Sequence, residues 1–141
     1  MEPRISLITL GTFDMARAAQ FYEDMGWFQT ETPDGMVVFD LSGQSLGLYP
    51  ADQLARDMGV DPETLGTGLS TFALNTRSKE EVAEVIEAAR AAGASILKEP
   101  HDVFWGGHIA YFSDPDGHVW EIAHNPFAPL AEDVAFRWDG Y

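Results

Sequence analysis

The chain has no cysteine, so it forms no disulfide, presents no thiol nucleophile and offers a metal no thiolate. This composition fits a reducing cytoplasm, the expected compartment. Basic residues are scarce as well: eight Lys and Arg stand against 23 Asp and Glu, a formal net charge of −15. Nucleic acid and anionic membrane surfaces both call for a basic footprint, so neither is expected as a partner. The acidity serves solubility, and it also attracts a cationic ligand at long range. No apolar run reaches the length of a membrane span, and Met1-Glu2-Pro3-Arg4 leads into a strand-like run with no signal-peptide pattern. A phosphate-cradling glycine loop, a nucleophile–base constellation and a zinc spacing are all missing. The 141 residues suffice for one domain with a real core.

What is present is organised twice over. Residues 5–10 read as a strand, Asp14 as an N-cap, and the segment from Met15 to Met25 as a helix stopped by Gly26. Met15, Ala18, Ala19, Tyr22 and Met25 form its inward face. Strands are expected over 27–32, 36–41 and 45–49, separated by Pro33-Asp34-Gly35 and Ser42-Gly43. The order then recurs. A strand over 69–75 precedes Ser78, whose partner Glu81 completes a capping-box pattern, and a helix over 80–92 buries Val82, Val85, Ile86 and Ala89 before Gly93. Strands over 94–98, continuing irregularly towards Val103, and over 108–112 and 118–123 follow. The spacing therefore predicts an α+β fold of two βαβββ modules in tandem within a single domain, residues 1–141. Module one covers about 4–50, a linker with a short helix and Pro62 covers 51–68, and module two covers about 69–125. Each half alone would expose one sheet face, so the halves are expected to pack together or to pair with another chain. The aromatic tail 126–141, with Phe127, Phe136, Trp138 and Tyr141, is expected to fold back over the domain or across a dimer contact.

One carboxylate stands out. Glu121 sits on a strand in apolar and aromatic company, after a turn of explicit chemistry, Asp114-Pro115-Asp116-Gly117. Burying it alone is costly, so it faces solvent, is hydrogen-bonded in a cavity, or holds a metal. A hairpin pairing Phe112 with Val119 puts His108, Ala110, Phe112, Val119, Glu121 and Ala123 on one face. His108 and Glu121 are then diagonal neighbours, suited to an acid–base pair or to anchoring a polar ligand, with a structural hydrogen bond as the alternative. His118, Trp120, Ile122 and His124 take the other face, and His101 is expected in a surface loop. In Phe104-Trp105-Gly106-Gly107 the glycines allow close backbone approach or a bulge, and Trp105 either walls an apolar pocket or packs.

The stretches Asp14-Met15-Ala16-Arg17-Ala18-Ala19-Gln20-Phe21-Tyr22 and Asp114-Pro115-Asp116-Gly117-His118-Val119-Trp120-Glu121, at this spacing within a repeated βαβββ order, resemble the vicinal oxygen chelate superfamily, which contains glyoxalase I, bleomycin-resistance proteins and extradiol dioxygenases. The resemblance implies a mostly antiparallel, curved, cup-shaped sheet holding a small molecule, commonly in a homodimer. It also implies a metal site built from one residue on the first and last strand of each module. Glu121 matches one such position, while the repeat puts Leu7, Gly47 and Thr71 at the others, and these offer no good ligand. No cofactor is expected, and a divalent metal would need Glu121 together with unrecognised ligands such as His108. The expected function is binding of a small molecule in a cup, with Glu121, His108, Trp105, Phe104 and Phe112 as ligand-binding residues and sequestration of a cationic ligand as its form. The alternative is a metal-dependent lyase, isomerase or dioxygenase acting on a vicinal-oxygen substrate. The residues do not decide between binding and catalysis, and Glu121 and His108 are the catalytic candidates.

Overall fold

The computed structural model describes residues 1–30 and 35–138, grouped into two compact units, Met1–Gly66 and Thr67–Tyr141. The architecture is α+β, with one open mixed sheet in each unit.

In the first unit, β1 (Leu7–Thr12) is followed by α1 (Met15–Asp24), β2 (Val37–Asp40), β3 (Ser45–Pro50) and α2 (Ala51–Met58), with a 3-10 turn at Pro62–Thr64. The Asp14 side chain accepts the Arg17 amide at 3.0 Å, so the N-cap satisfies one of the free donors of the first turn. Ala18, Ala19 and Tyr22 turn inward as expected, and Phe21 joins them, because the buried stripe is wider than a single row. The strand order is β1-β3-β2, with β1 parallel and β2 antiparallel to β3. Of the strand expected over 27–32, the described part contributes only an isolated bridge, Gln29 to Phe39. Trp27 is drawn onto the helix instead: its amide donates to the Tyr22 carbonyl, and its ring stacks on Tyr22 at 5.3 Å. Pro33 and Asp34 of the expected turn lie outside the described residues.

The second unit runs β4 (Phe72–Thr76), α3 (Lys79–Ala92), β5 (Ser95–Asp102), β6 (His108–Ser113) and β7 (Val119–His124), in the order β4-β7-β6-β5. Its wiring repeats that of the first unit, since the first strand pairs parallel with the last and the middle strands pair antiparallel. Ser78 accepts the Glu81 amide, and the Glu81 carboxylate returns to the Arg77 amide, so α3 starts from a reciprocal cap. Val82, Ile86 and Ala89 then bury against Ala110, Phe112, Trp120 and Ile122. Each large apolar side chain taken fully from water contributes about 1.5–3 kcal/mol, so the Val82, Ile86, Phe112, Trp120 and Ile122 layer stabilises the unit substantially. In the tail, Ala128 is buried and Arg77 donates to the carbonyls of Ala131 and Glu132 at 2.8 and 3.2 Å, while Tyr141 lies outside the described residues. Among the described residues no helix is long and apolar enough to cross a membrane.

Candidate functional site

The β6–β7 hairpin positions Glu121. Asp114, 4% exposed, organises its turn: one carboxylate oxygen accepts the amides of Asp116 and His118 at 3.0 and 2.9 Å, and the Asp114 amide donates to the His118 carbonyl. Pro115, Asp116 and Gly117 are left as a three-residue loop whose last member has φ +93°, a conformation that favours glycine. This loop pairs Ser113 with Val119, Phe112 with Trp120, Tyr111 with Glu121, and His108 with His124.

That register corrects the expected pairing of Phe112 with Val119 by one residue, and a one-residue slip exchanges the faces. His108, Ala110 and Phe112 join Trp120 and Ile122 on the side of α3. Phe112 is therefore core, 2% exposed and stacked on Trp120 at 14° between ring planes, and is unavailable to a ligand. His108 and Glu121 point to opposite faces. The His108 Nδ1 lies 2.8 Å from Asp102 Oδ1, and Lys79 Nζ meets the same oxygen at 2.7 Å. The Lys79 hydrogen bond, followed by that of His108, holds the Asp102 carboxyl below the usual carboxylate range. This trio joins the end of β5 to the start of α3.

The face away from α3 carries Glu121 with Tyr111 beside it, Ala73 across the β4 pairing and Lys98 across the β5 pairing. Tyr111 is the direct cross-strand partner of Glu121, so the phenol and the carboxylate stand side by side on this face. Burial first, and then the nearby Glu121 carboxylate, push the Tyr111 phenol up, so it stays a neutral donor at physiological pH. The neighbouring row contains His101, Ile109 and Ala123, which places His101 on this face within β5 rather than in a loop. Tyr111 went unrecognised in the sequence, although the three-residue loop ending at Gly117 was the signal that placed it. Of the remaining candidates, Phe104 projects fully from the β5–β6 turn, whereas Trp105 is 38% exposed.

The donor set does not fit the metal group implied by resemblance. In the first unit, a Cβ on Gly47 would meet Leu7 Cδ1 at 3.3 Å and Met36 Cε at 3.2 Å, so hydrocarbon surrounds that position. In the second unit, Ala73 is the β4 partner of Glu121 and Thr71 precedes the strand, and neither is a good ligand. Among the described residues no group of three or more His, Cys, Asp or Glu is placed to hold a metal ion.

A family model described as the Glyoxalase/Bleomycin resistance protein/Dioxygenase superfamily matches residues 4–122. A lactoylglutathione lyase of Arabidopsis thaliana is 30% identical over 115 residues, covering 77% of this chain and 40% of that protein, so the chain spans well under half of this plant relative. The protein YraH of Bacillus subtilis is 26% identical over 116 residues and is matched over 88% of its length. Among solved structures, a glyoxalase-related enzyme from Fulvimarina pelagi superposes with a TM-score of 0.89 at 32% identity, covering 98% of this chain and 99% of that one. The lactoylglutathione lyase from Agrobacterium tumefaciens superposes with a TM-score of 0.67 at 24% identity over 89% and 96% of the two chains, a likeness of fold alone.

Proposed function

This chain belongs to the Glyoxalase/Bleomycin resistance protein/Dioxygenase superfamily, and from that premise we propose that it binds a small cationic or hydrogen-bond-donating molecule on the sheet face that carries Glu121. The observation that supports this reading is the Tyr111–Glu121 neighbour pair: a half-exposed carboxylate beside a phenol, outside any group of metal-ligating residues among the described ones, is an acceptor suited to an ammonium or amide group. The net charge of −15 raises the local concentration of such a ligand. A homodimer belongs to the same proposal, and its measurement is the solution mass. Calorimetric titration against a panel of small cationic metabolites and drugs tests the binding. Saturable binding should be indifferent to chelators, weaken with salt, and drop by about tenfold or more in Glu121→Gln. A panel without any saturable binder, or affinities untouched by Glu121→Gln, would remove this reading.

The 30% identity to a lactoylglutathione lyase favours a second reading, a lyase acting on a vicinal-oxygen substrate. It requires stoichiometric divalent metal in the purified protein that disappears in Glu121→Ala, and elemental analysis of both proteins decides it.

A further inference from the structure

We infer that the Trp105 indole is a second contact zone on the Glu121 face, an aromatic platform for a flat ring in a ligand whose cationic or donor end reaches Glu121 and Tyr111. The inference rests on the proposed binding role of Glu121 and narrows the ligand to a two-ended molecule, with ring and polar group held apart by a spacer.

The platform follows from the β5–β6 turn. Val103 donates to the Gly107 carbonyl at 3.0 Å, and Gly106, at φ +96°, donates back to the Val103 carbonyl at 2.9 Å. Phe104 and Trp105 occupy the tip between these bonds. Phe104 projects into solvent, but Trp105 folds back along β6 until its six-membered ring reaches Gly107. A Cβ built on Gly107 would collide with Cη2, Cζ3 and Cζ2 at the outer edge of that ring, so the indole edge rests against the glycine and only glycine admits it there. Phe127 borders the same turn, with its Cε2 at 3.3 Å from a Cβ position on Gly106.

Strand alternation gives the direction of the ring. Gly107, Ile109 and Tyr111 point to one face, so the indole lies on the face of Tyr111 and Glu121 and away from α3. Four residues of strand separate Gly107 from Tyr111, about 13 Å at the usual rise. Between them Ile109 and its cross-strand partner Ala123 are buried, so the two zones are separate patches that only a spacer can join. One edge of the ring rests against the glycine while the residue keeps 38% of its surface exposed, which is what a stacking partner needs.

The test uses naphthylalkyl ammonium ions with spacers from a single methylene to a length spanning both zones, titrated by calorimetry against the full chain. Affinity should rise roughly three- to tenfold once the spacer reaches, the usual value of an aromatic contact. Trp105→Ala should erase that gain and leave the shortest probe unchanged, while Trp105→Phe should keep most of it. Gly107→Ala displaces the ring without deleting it, and it should erase the gain with the thermal midpoint preserved. A length dependence surviving in Trp105→Ala and Gly107→Ala, or no length dependence among probes that Glu121→Gln still weakens, overturns the platform and leaves the Glu121 anchor standing. Probes indifferent to Glu121→Gln overturn the anchor itself, and with it the two-ended ligand.

Discussion

A phenol beside a carboxylate on a half-covered sheet face has a titration that can be read directly. Burial raises the Tyr111 pKa first, and the nearby Glu121 carboxylate raises it further, because each disfavours the phenolate. Tyr49 is raised too, by burial and then by Asp57, so the signal has to be assigned with variants. Among the four tyrosines, the ultraviolet phenolate titration should show a component above the ordinary value of about 10 that vanishes in Tyr111→Phe. In Glu121→Gln the same component should move down, leaving only the part due to burial. The linkage has a definite sign: with the folded pKa raised, the stabilisation is complete below the unfolded value near pH 10 and is lost as pH rises through the folded one. A Tyr111 component unmoved by Glu121→Gln would mean that the pair does not interact in solution.

At the scale of elements, the β6–β7 hairpin decides which side chains meet. Loop parity does this work. A three-residue loop closed by a glycine at positive φ forces Ser113 opposite Val119, whereas pairing Phe112 with Val119 implies a loop of different parity. The caps, the two main helices and the strand order, apart from the strand expected over 27–32, were legible from local patterns, since Asp14, Ser78, Glu81 and the apolar helix faces act within a few residues of themselves. Register was not legible, because it hung on whether Asp114 would pair with His118 across the turn, and both alternatives place apolar residues on both faces. The same slip moved His108 and Phe112 to the α3 side and hid Tyr111. Near Trp27 local strand propensity lost to a tertiary contact, the stack on Tyr22. If Asp114 sets the register, Asp114→Ala should cost about 2–3 kcal/mol, since two amides lose a charged acceptor. Asp114→Asn, which keeps an acceptor oxygen, should cost less. Urea unfolding of the two variants measures the difference, and equal costs would assign the effect to burial of the side chain instead.

Over the whole molecule, the charge acts on folding and on ligand capture with opposite dependence on salt. Eight basic residues against 23 acidic ones leave an excess that repels itself in the compact state. The attractive pairs that oppose it, among them Arg56–Asp52, Lys79–Asp102 and Arg90–Glu99, are largely exposed. Pairs of that kind contribute about 0–1 kcal/mol each and are screened by the same ions. The excess is the larger effect, so the thermal midpoint should climb as sodium chloride is raised from low to physiological strength, where the screening length falls to about 8 Å. Cation binding at Glu121 should weaken over that range, because screening removes the attraction that gathers the ligand. Scanning calorimetry and ligand titration on one salt series separate the two contributions. A midpoint that falls with salt would put the exposed pairs ahead of the repulsion, and an affinity that holds constant would confine the net charge to solubility.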